Sequence, residues 1–141
     1  MSATILIVDD EPAARYALRR AFDGEFVLLE AGSVSEARDQ IRAGRPDVLL
    51  LDYRMPGEDG VVLLHELAWA ESPAVIMVTG QGSERLAVEA IKAGAYDYLT
   101  KPIEPQRLRI LLDKVVERQG TRREVKLLRR QLREHGTFGR L

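Results

Sequence analysis

The sequence of 141 residues contains no cysteine, which excludes disulfide bonds, thiolate metal sites and a cysteine nucleophile. It has no run of about 20 apolar residues, the length needed to cross a bilayer. It also lacks a P-loop and a G-x-G-x-x-G pattern, so we do not expect nucleotide binding. No basic region precedes the first apolar run, so no secretion signal is expected. These absences predict a cytoplasmic protein without a membrane partner.

The sequence also lacks a strong overall charge, but its net charge of −1 results from a cancellation. Residues 1–105 contain 10 basic and 18 acidic side chains, a net charge of −8. Residues 106–141 contain 11 basic and 4 acidic side chains, a net charge of +7. Such a division indicates two segments with different roles.

Short apolar runs alternate with helix-forming segments along most of the chain. Ser33 and Glu36 fit a capping box at the start of the second helix. Alternating strands and helices with short connections predict an α/β fold, with a parallel sheet covered by helices on both faces. The predicted strands are 4–8, 26–31, 48–51, 74–79 and 96–99, and the predicted helices are 12–22, 34–44, 61–70, 83–93 and one that begins near 104.

Polar residues occur at or just after the ends of four of these strands. In parallel sheets such residues gather at one edge, the carboxyl edge. Three clustered carboxylates would repel one another, and a hard cation with oxygen ligands, Mg²⁺, relieves that repulsion. A lysine and a hydroxyl beside them suit a transferring phosphoryl group, with one carboxylate as nucleophile. Alternatively, aspartates at strand ends act only as helix caps and turn formers. The residues are Asp9, Asp10, Asp52, Thr79 and Lys101.

These residues stand in sequence motifs that resemble a known family. Asp9-Asp10, the segment Asp52–Gly60 with the pattern D-x-x-M-P-x-x-x-G, Thr79-Gly80 and Lys101-Pro102 together resemble the receiver domain of two-component response regulators. The resemblance covers about residues 4–116. It implies a flavodoxin-like (βα)5 fold with strand order 2-1-3-4-5, and a receiver domain over residues 1–116.

The resemblance also implies residue roles. Asp52 would accept a phosphoryl group from a phosphohistidine on a partner sensor histidine kinase. Asp10, Asp52 and the backbone carbonyl of Arg54 would ligate Mg²⁺, and Asp9 would help to hold it, through water. Lys101 would pair with the phosphoryl group, and the Lys101–Pro102 bond would be cis.

Five positions are interpreted further from their place in the motifs. Thr79 would bind a phosphoryl oxygen and move inward on phosphorylation, and Tyr98 would then turn into the vacated space. Tyr98 could alternatively just pack at the sheet edge. Arg54 and Gln81 should border the phosphoryl group and tune its lifetime, and Gly60 suits a turn with positive φ.

The last helix is predicted to continue beyond the receiver. Leu108, Leu112, Val115 and Gln119, followed by Val125, Leu128 and Leu132, have the spacing of a short coiled-coil seam with a break or slip near Gly120. We therefore predict a basic amphipathic linker helix over residues 117–141. The basic residues beside the seam are Arg118, Arg122, Arg123, Lys126, Arg129, Arg130 and Arg133.

Three interpretations of the linker remain: nucleic-acid binding, a solvated helix face, and a signalling linker that dimerises. We favour dimerisation, because it would cover the apolar stripe. The segment 136–141 resembles the junction at which NtrC-type regulators enter their AAA+ ATPase domain. That resemblance implies a missing output domain, through which alone the protein would contact DNA.

The leading hypothesis is a phosphoprotein that controls transcription and catalyses only its own phosphorylation and dephosphorylation. Phosphorylation would change dimerisation through helix 4, strand 5 and helix 5, the linker helix, or both. The alternatives are a Mg²⁺-dependent phosphohydrolase with Asp52 or Asp9 as nucleophile, and a receiver of a hybrid kinase or a stand-alone phosphorelay module.

Overall fold

Strands and helices alternate five times along the chain. A computed structural model describes residues 3–55, 57, 60–67, 73–80 and 84–135. The strands in this part are β1 (Thr4–Val8), β2 (Val27–Ala31), β3 (Val48–Asp52), β4 (Ala74–Thr79) and β5 (Asp97–Thr100). The helices are α1 (Pro12–Phe22), α2 (Val34–Gly44), α3 (Gly60–Leu67), α4 (Glu84–Lys92) and α5 (Pro105–His135). The predicted end of the third helix at 68–70 and the predicted start of the fourth at Ser83 lie outside the described residues.

The five strands form one parallel sheet in the order β2-β1-β3-β4-β5. This confirms the predicted flavodoxin-like architecture. β3 is one residue longer than predicted because Asp52 pairs in register with Val78 of β4. β5 is shifted one residue toward the C-terminus, so that Thr100 lies opposite Thr79 at the same edge.

Side chains that alternate along each strand separate the core into two layers. On β1, Ile5 and Ile7 pack toward α1 and α5, whereas Leu6 and Val8 pack toward α2, α3 and α4. The central strand β3 is buried along its whole length. A fully covered strand is typical of a parallel sheet with helices on both faces.

Helix α2 begins at the predicted cap, with one difference in the hydrogen bonds. The Ser33 Oγ accepts a hydrogen bond from the Glu36 backbone N–H at 3.1 Å. The Glu36 carboxylate reaches past Ser33 and accepts from the Gly32 backbone N–H at 2.8 Å. The local sequence thus fixes the start of this helix.

Helix α5 contradicts two sequence-based predictions. The predicted break near Gly120 is wrong, because the helix continues through this residue and one glycine costs a helix only about 1 kcal/mol, whereas a slip in the seam there stays a prediction. The seam predicted over residues 108–119 is wrong, because Leu108, Leu112 and Val115 are buried against the sheet. The Gln119 amide is buried too, and its Nε2 donates to the Asp47 carbonyl at 3.2 Å.

Beyond Gln119, every side chain of α5 that the structure describes is exposed. The apolar ones among them are Val125, Leu127, Leu128 and Leu132. Within the described part of the chain, no helix combines the length and the apolar character needed to span a bilayer.

Candidate functional site

Four of the predicted site residues meet at the carboxyl edge of the sheet. Asp9 follows β1, Asp52 ends β3, and Lys101 follows β5. One carboxylate oxygen from each of Asp9, Asp10 and Asp52 lies within 4.8 Å of the other two. The expected cis bond between Lys101 and Pro102 is confirmed. The parallel register places these side chains side by side, although they are far apart in sequence.

A single ammonium group lies between two of the carboxylates. The Lys101 Nζ donates to Asp9 Oδ2 and to Asp52 Oδ2, both at 3.0 Å. Asp9 and Asp52 are buried, whereas Asp10 is exposed. Since the two buried carboxylates share one lysine, they keep an excess of negative charge that a divalent cation could offset.

The electrostatics of Asp52 follow from this arrangement. Burial raises the pKa of Asp52 above its usual value of 3.8, and the nearby Asp9 charge raises it further. The Lys101 ammonium and the Arg54 backbone N–H lower that pKa, but only in part. Burial lowers the pKa of Lys101, but the hydrogen bonds and charges of Asp52 and Asp9 outweigh it, so the net shift is upward. Lys101 is therefore a fixed cation.

Backbone groups hold the two buried carboxylates in place. The Arg54 N–H donates to Asp52 Oδ1 at 3.2 Å, and the Glu11 N–H donates to Asp9 Oδ1 at 2.9 Å. Gly60 lies close beside this loop, and a Cβ added there would clash with the Asp52 carbonyl oxygen. The expectation of positive φ at Gly60 is wrong. In this segment Gly57 has the positive φ, of 87°. Position 60 requires glycine because a Cβ has no space there.

An open pocket of about 440 Å³ leads to the carboxylates. Its acidic and basic groups come from Asp10, Glu11, Asp52, Arg54 and Lys101. The carboxylate oxygens that the pocket offers to a cation fit Mg²⁺. The remaining lining residues are Tyr53, Gly80 and Leu86.

Of the two predicted switch residues, Thr79 ends β4 at this edge and Tyr98 lies within β5 opposite Met77, and among the described residues neither contacts the carboxylates. Thr79 is completely buried, and its Oγ1 donates to the Leu99 carbonyl at a long 3.5 Å. Tyr98, as a whole residue, is 37% exposed at the surface of β5. Gln81, the other predicted lifetime residue, lies outside the described residues.

The side chain of Arg15 contacts the site although the sequence did not indicate it. The guanidinium of Arg15 in α1 donates to the Asp9 carbonyl at 2.6 Å and to Glu30 Oε1 at 3.2 Å. A basic residue in the first turn of α1 and an acidic residue within β2 were the available signals. Neither signal indicates by itself that the two side chains meet beside Asp9.

Known proteins with similar sequences and structures agree with this geometry. The model of the response regulator receiver domain matches residues 5–113. The hydrogenase transcriptional regulatory protein HoxA of Cupriavidus necator is 37% identical over 133 residues, covering 93% of this chain and 28% of its own length. The cyclic di-GMP phosphodiesterase response regulator RpfG of Xanthomonas campestris is 38% identical over 115 residues, covering 77% of this chain and 30% of RpfG.

The crystal structure of NtrX from Brucella abortus has a TM-score of 0.81 and 32% identity, covering 91% of this chain and 30% of that one. The chain spans only 28–32% of the length of the first curated relatives that it matches. The chain belongs to the family of response regulator receiver domains and is homologous to NtrC-type regulators.

Proposed function

We propose that the chain is a phosphorylation-dependent switch. Asp52 accepts a phosphoryl group from a sensor histidine kinase, and the phosphorylated receiver controls an NtrC-type transcriptional output domain. One observation supports this most. The Asp52 carboxylate is buried at the end of β3, is held by Lys101 and Arg54, and lies next to two further carboxylates.

The phosphoryl transfer uses groups already at this edge of the sheet. An Asp52 carboxylate oxygen forms a bond to phosphorus while the N–P bond of the kinase phosphohistidine breaks, and the imidazole leaves with that electron pair. Lys101 neutralises charge on the transferred oxygens. Asp10, Asp52 and the Arg54 carbonyl would hold Mg²⁺, with Asp9 assisting through water. Bound Mg²⁺ supplies further charge stabilisation.

The receiver itself catalyses only its own phosphorylation and dephosphorylation. The Arg54 side chain is exposed at the pocket, where it can screen the phosphoryl group from water, and Gln81 would act beside it.

The name of RpfG attributes an enzymatic activity to that whole protein. The match to HoxA extends over more of this chain than the match to RpfG, which favours a transcriptional output here.

The conformational switch uses the weak contact of Thr79. Within the described part of the chain its hydroxyl makes only a long hydrogen bond to Leu99, so a phosphoryl oxygen at Asp52 is a stronger acceptor for it. Movement of Thr79 toward Asp52 would vacate the space that the Tyr98 ring then enters. Burial of Tyr98 alters the surface formed by α4, β5 and α5.

That surface is suited to contact a second copy of the chain. It presents exposed apolar side chains at Val88, Ile91, Tyr98 and Ile110. The exposed part of α5 provides a second contact, with Val125 and Leu132 at a positions and Leu128 at a d position of a heptad repeat. In a parallel, in-register pair of helices, Glu124 at g would lie opposite Arg129 at e of the partner subunit. The linker would thus begin after Gln119.

Charge exchange tests this homodimer. Glu124→Arg and Arg129→Glu should each weaken the dimer in analytical ultracentrifugation, because each places like charges across the seam. The double variant should recover much of the wild-type association. Single variants that associate like wild type, or a double variant weaker than both, would contradict the parallel seam.

Two other functions are less well supported. A phosphohydrolase would need a capped, enclosed substrate pocket, whereas the pocket at this site is open and the chain belongs to the receiver family. A hybrid-kinase or stand-alone receiver would not need an amphipathic extension of α5.

We further propose that the protein acts in the cytoplasm, and that DNA is contacted only by a separate output domain.

The acceptor role is tested with a small phosphodonor. The chain is incubated with Mg²⁺ and acetyl phosphate, and the intact mass of wild type, Asp52→Asn and Asp39→Asn is measured. Asp39 is an exposed aspartate of α2 and serves as the matched control. We expect one phosphoryl adduct on wild type and Asp39→Asn and none on Asp52→Asn. An equal adduct on Asp52→Asn, or none on wild type, would refute the acceptor assignment.

A further inference from the structure

Two arginines of α1 share one carboxylate of β2. Arg15 Nε lies 3.2 Å from Glu30 Oε1, and Arg19 Nε lies 2.7 Å from Glu30 Oε2. Each arginine also donates to one backbone carbonyl, Arg15 to Asp9 at 2.6 Å and Arg19 to Leu28 at 3.1 Å. Their contacts therefore differ mainly in which backbone carbonyl they reach.

The carbonyl that Arg15 binds belongs to the peptide between Asp9 and Asp10. Because a peptide unit is planar, the direction of this carbonyl sets the position of the Asp10 Cα relative to Asp9. The Asp9 N–H is fixed in turn by the Ala31 carbonyl at 3.1 Å. Ala31 of β2 thus holds Asp9 directly, and Glu30 of β2 holds the Asp9–Asp10 peptide through Arg15.

Arg15 is fitted into this position rather than lying loosely on the surface. Its side chain is 19% exposed, against 41% for Arg19. Gly32 leaves the necessary room, since a Cβ there would come within 3.3 Å of Arg15 Nη1. The guanidinium binds Glu30 and the Asp9 carbonyl at once, which its planar set of several donors permits and a lysine ammonium does not match.

We propose that Arg15 is a positioning residue for the metal site. It holds the Asp9–Asp10 peptide in the orientation that brings the exposed Asp10 carboxylate toward Asp52. The inference rests on the proposed binding of Mg²⁺ by this cluster. Loss of a residue that orients metal ligands typically weakens metal binding by about 10–100-fold. We expect the lower end here, about tenfold, because Asp9 keeps its other hydrogen bonds.

The test compares Arg15→Gln with Arg19→Gln in the full chain. Melting temperatures are measured in EDTA and across a series of Mg²⁺ concentrations, which gives both the metal-free stability and the Mg²⁺ Kd. Both variants should lose stability in EDTA, because each loses one contact to Glu30 and one to a carbonyl, and the loss should be somewhat larger for the less exposed Arg15. Only Arg15→Gln should raise the Kd about tenfold, and Arg15→Lys should recover part of the affinity.

The outcomes separate this inference from the function on which it rests. Mg²⁺ affinities that are unchanged in Arg15→Gln, or weakened equally in Arg19→Gln, would refute the positioning role while leaving the metal site intact. A wild-type melting temperature that does not respond to Mg²⁺ would refute the proposed metal site itself, and with it this role. If Arg15→Gln does not fold, Arg15→Lys against Arg19→Lys makes the same comparison with smaller expected changes.

Discussion

Replacement of Lys101 by methionine should destabilise the metal-free receiver in a way that Mg²⁺ repairs. The substitution keeps most of the side-chain volume and removes the cation that lies 3.0 Å from both Asp9 and Asp52. Each ion pair at that distance is worth about 5.5 kcal/mol at an effective dielectric constant of about 20. Desolvation offsets much of this attraction, and breaking a buried pair costs about 3–5 kcal/mol.

The Lys101 side chain is 34% exposed, so solvent screening reduces this cost to about 2–3 kcal/mol. In a domain of this size, that corresponds to a fall in melting temperature of about 10 °C. A bound divalent cation would neutralise the same two carboxylates, so saturating Mg²⁺ should remove much of the difference from wild type.

The assay is thermal unfolding followed by circular dichroism, in EDTA and in saturating Mg²⁺. Lys92→Met is the matched control, because Lys92 is an exposed lysine at the end of α4. A Lys101→Met loss no larger than that of the control would refute the neutralising role. A loss that is identical with and without Mg²⁺ would show that the metal and the lysine do not share these carboxylates.

Three further substitutions test separate features. Gly60→Ala should cost about 1–3 kcal/mol in denaturant unfolding, because its Cβ meets the Asp52 carbonyl, and wild-type stability would contradict this close approach. Gly120→Ala should instead stabilise the exposed part of α5 by about 1 kcal/mol, seen as slower amide exchange there. Apart from the helix's own backbone, no atom of the described residues lies within 4 Å of the added Cβ. Without Mg²⁺ at neutral pH, Asp52→Asn should be more stable than wild type. Because folding raises the pKa of Asp52, protonation of Asp52 stabilises the folded state below about pH 3.8, and this stabilisation is lost as the pH rises through the folded pKa. The difference in stability between Asp52→Asn and wild type should therefore narrow on acidification. A difference that stays constant with pH would refute this reasoning.

Much of the site could be predicted because its signals are local. Asp9, Asp52 and Lys101 each follow or end a predicted strand, and each of these segments is too short for a helix. Once the sheet is parallel, its carboxyl edge collects these residues without further information. The sequence therefore indicated which side chains meet, but not that one ammonium lies between two carboxylates.

The two halves of α5 show where such prediction ends. Leu108, Leu112 and Val115 are spaced by four and then three residues. Val125, Leu128 and Leu132 are spaced by three and then four, so both sets have a helical spacing, and the sequence predicts one seam with a break or slip between them. Only the former lie over the sheet, so only they are buried. Hydrophobic periodicity identifies an apolar face but not the surface that covers it.

The sequence by itself determined the order of strands and helices, the carboxylates at the sheet edge and the division of charge between the receiver and the linker. Each of these depends on residues close together in the chain. Only the tertiary structure showed that position 60 must be glycine because the Asp52 carbonyl lies against it. Likewise, only the tertiary structure showed that Arg15 donates to both the Asp9 carbonyl and Glu30. Those contacts join segments brought together by sheet pairing and helix packing, and short-range patterns contain no information about such distances.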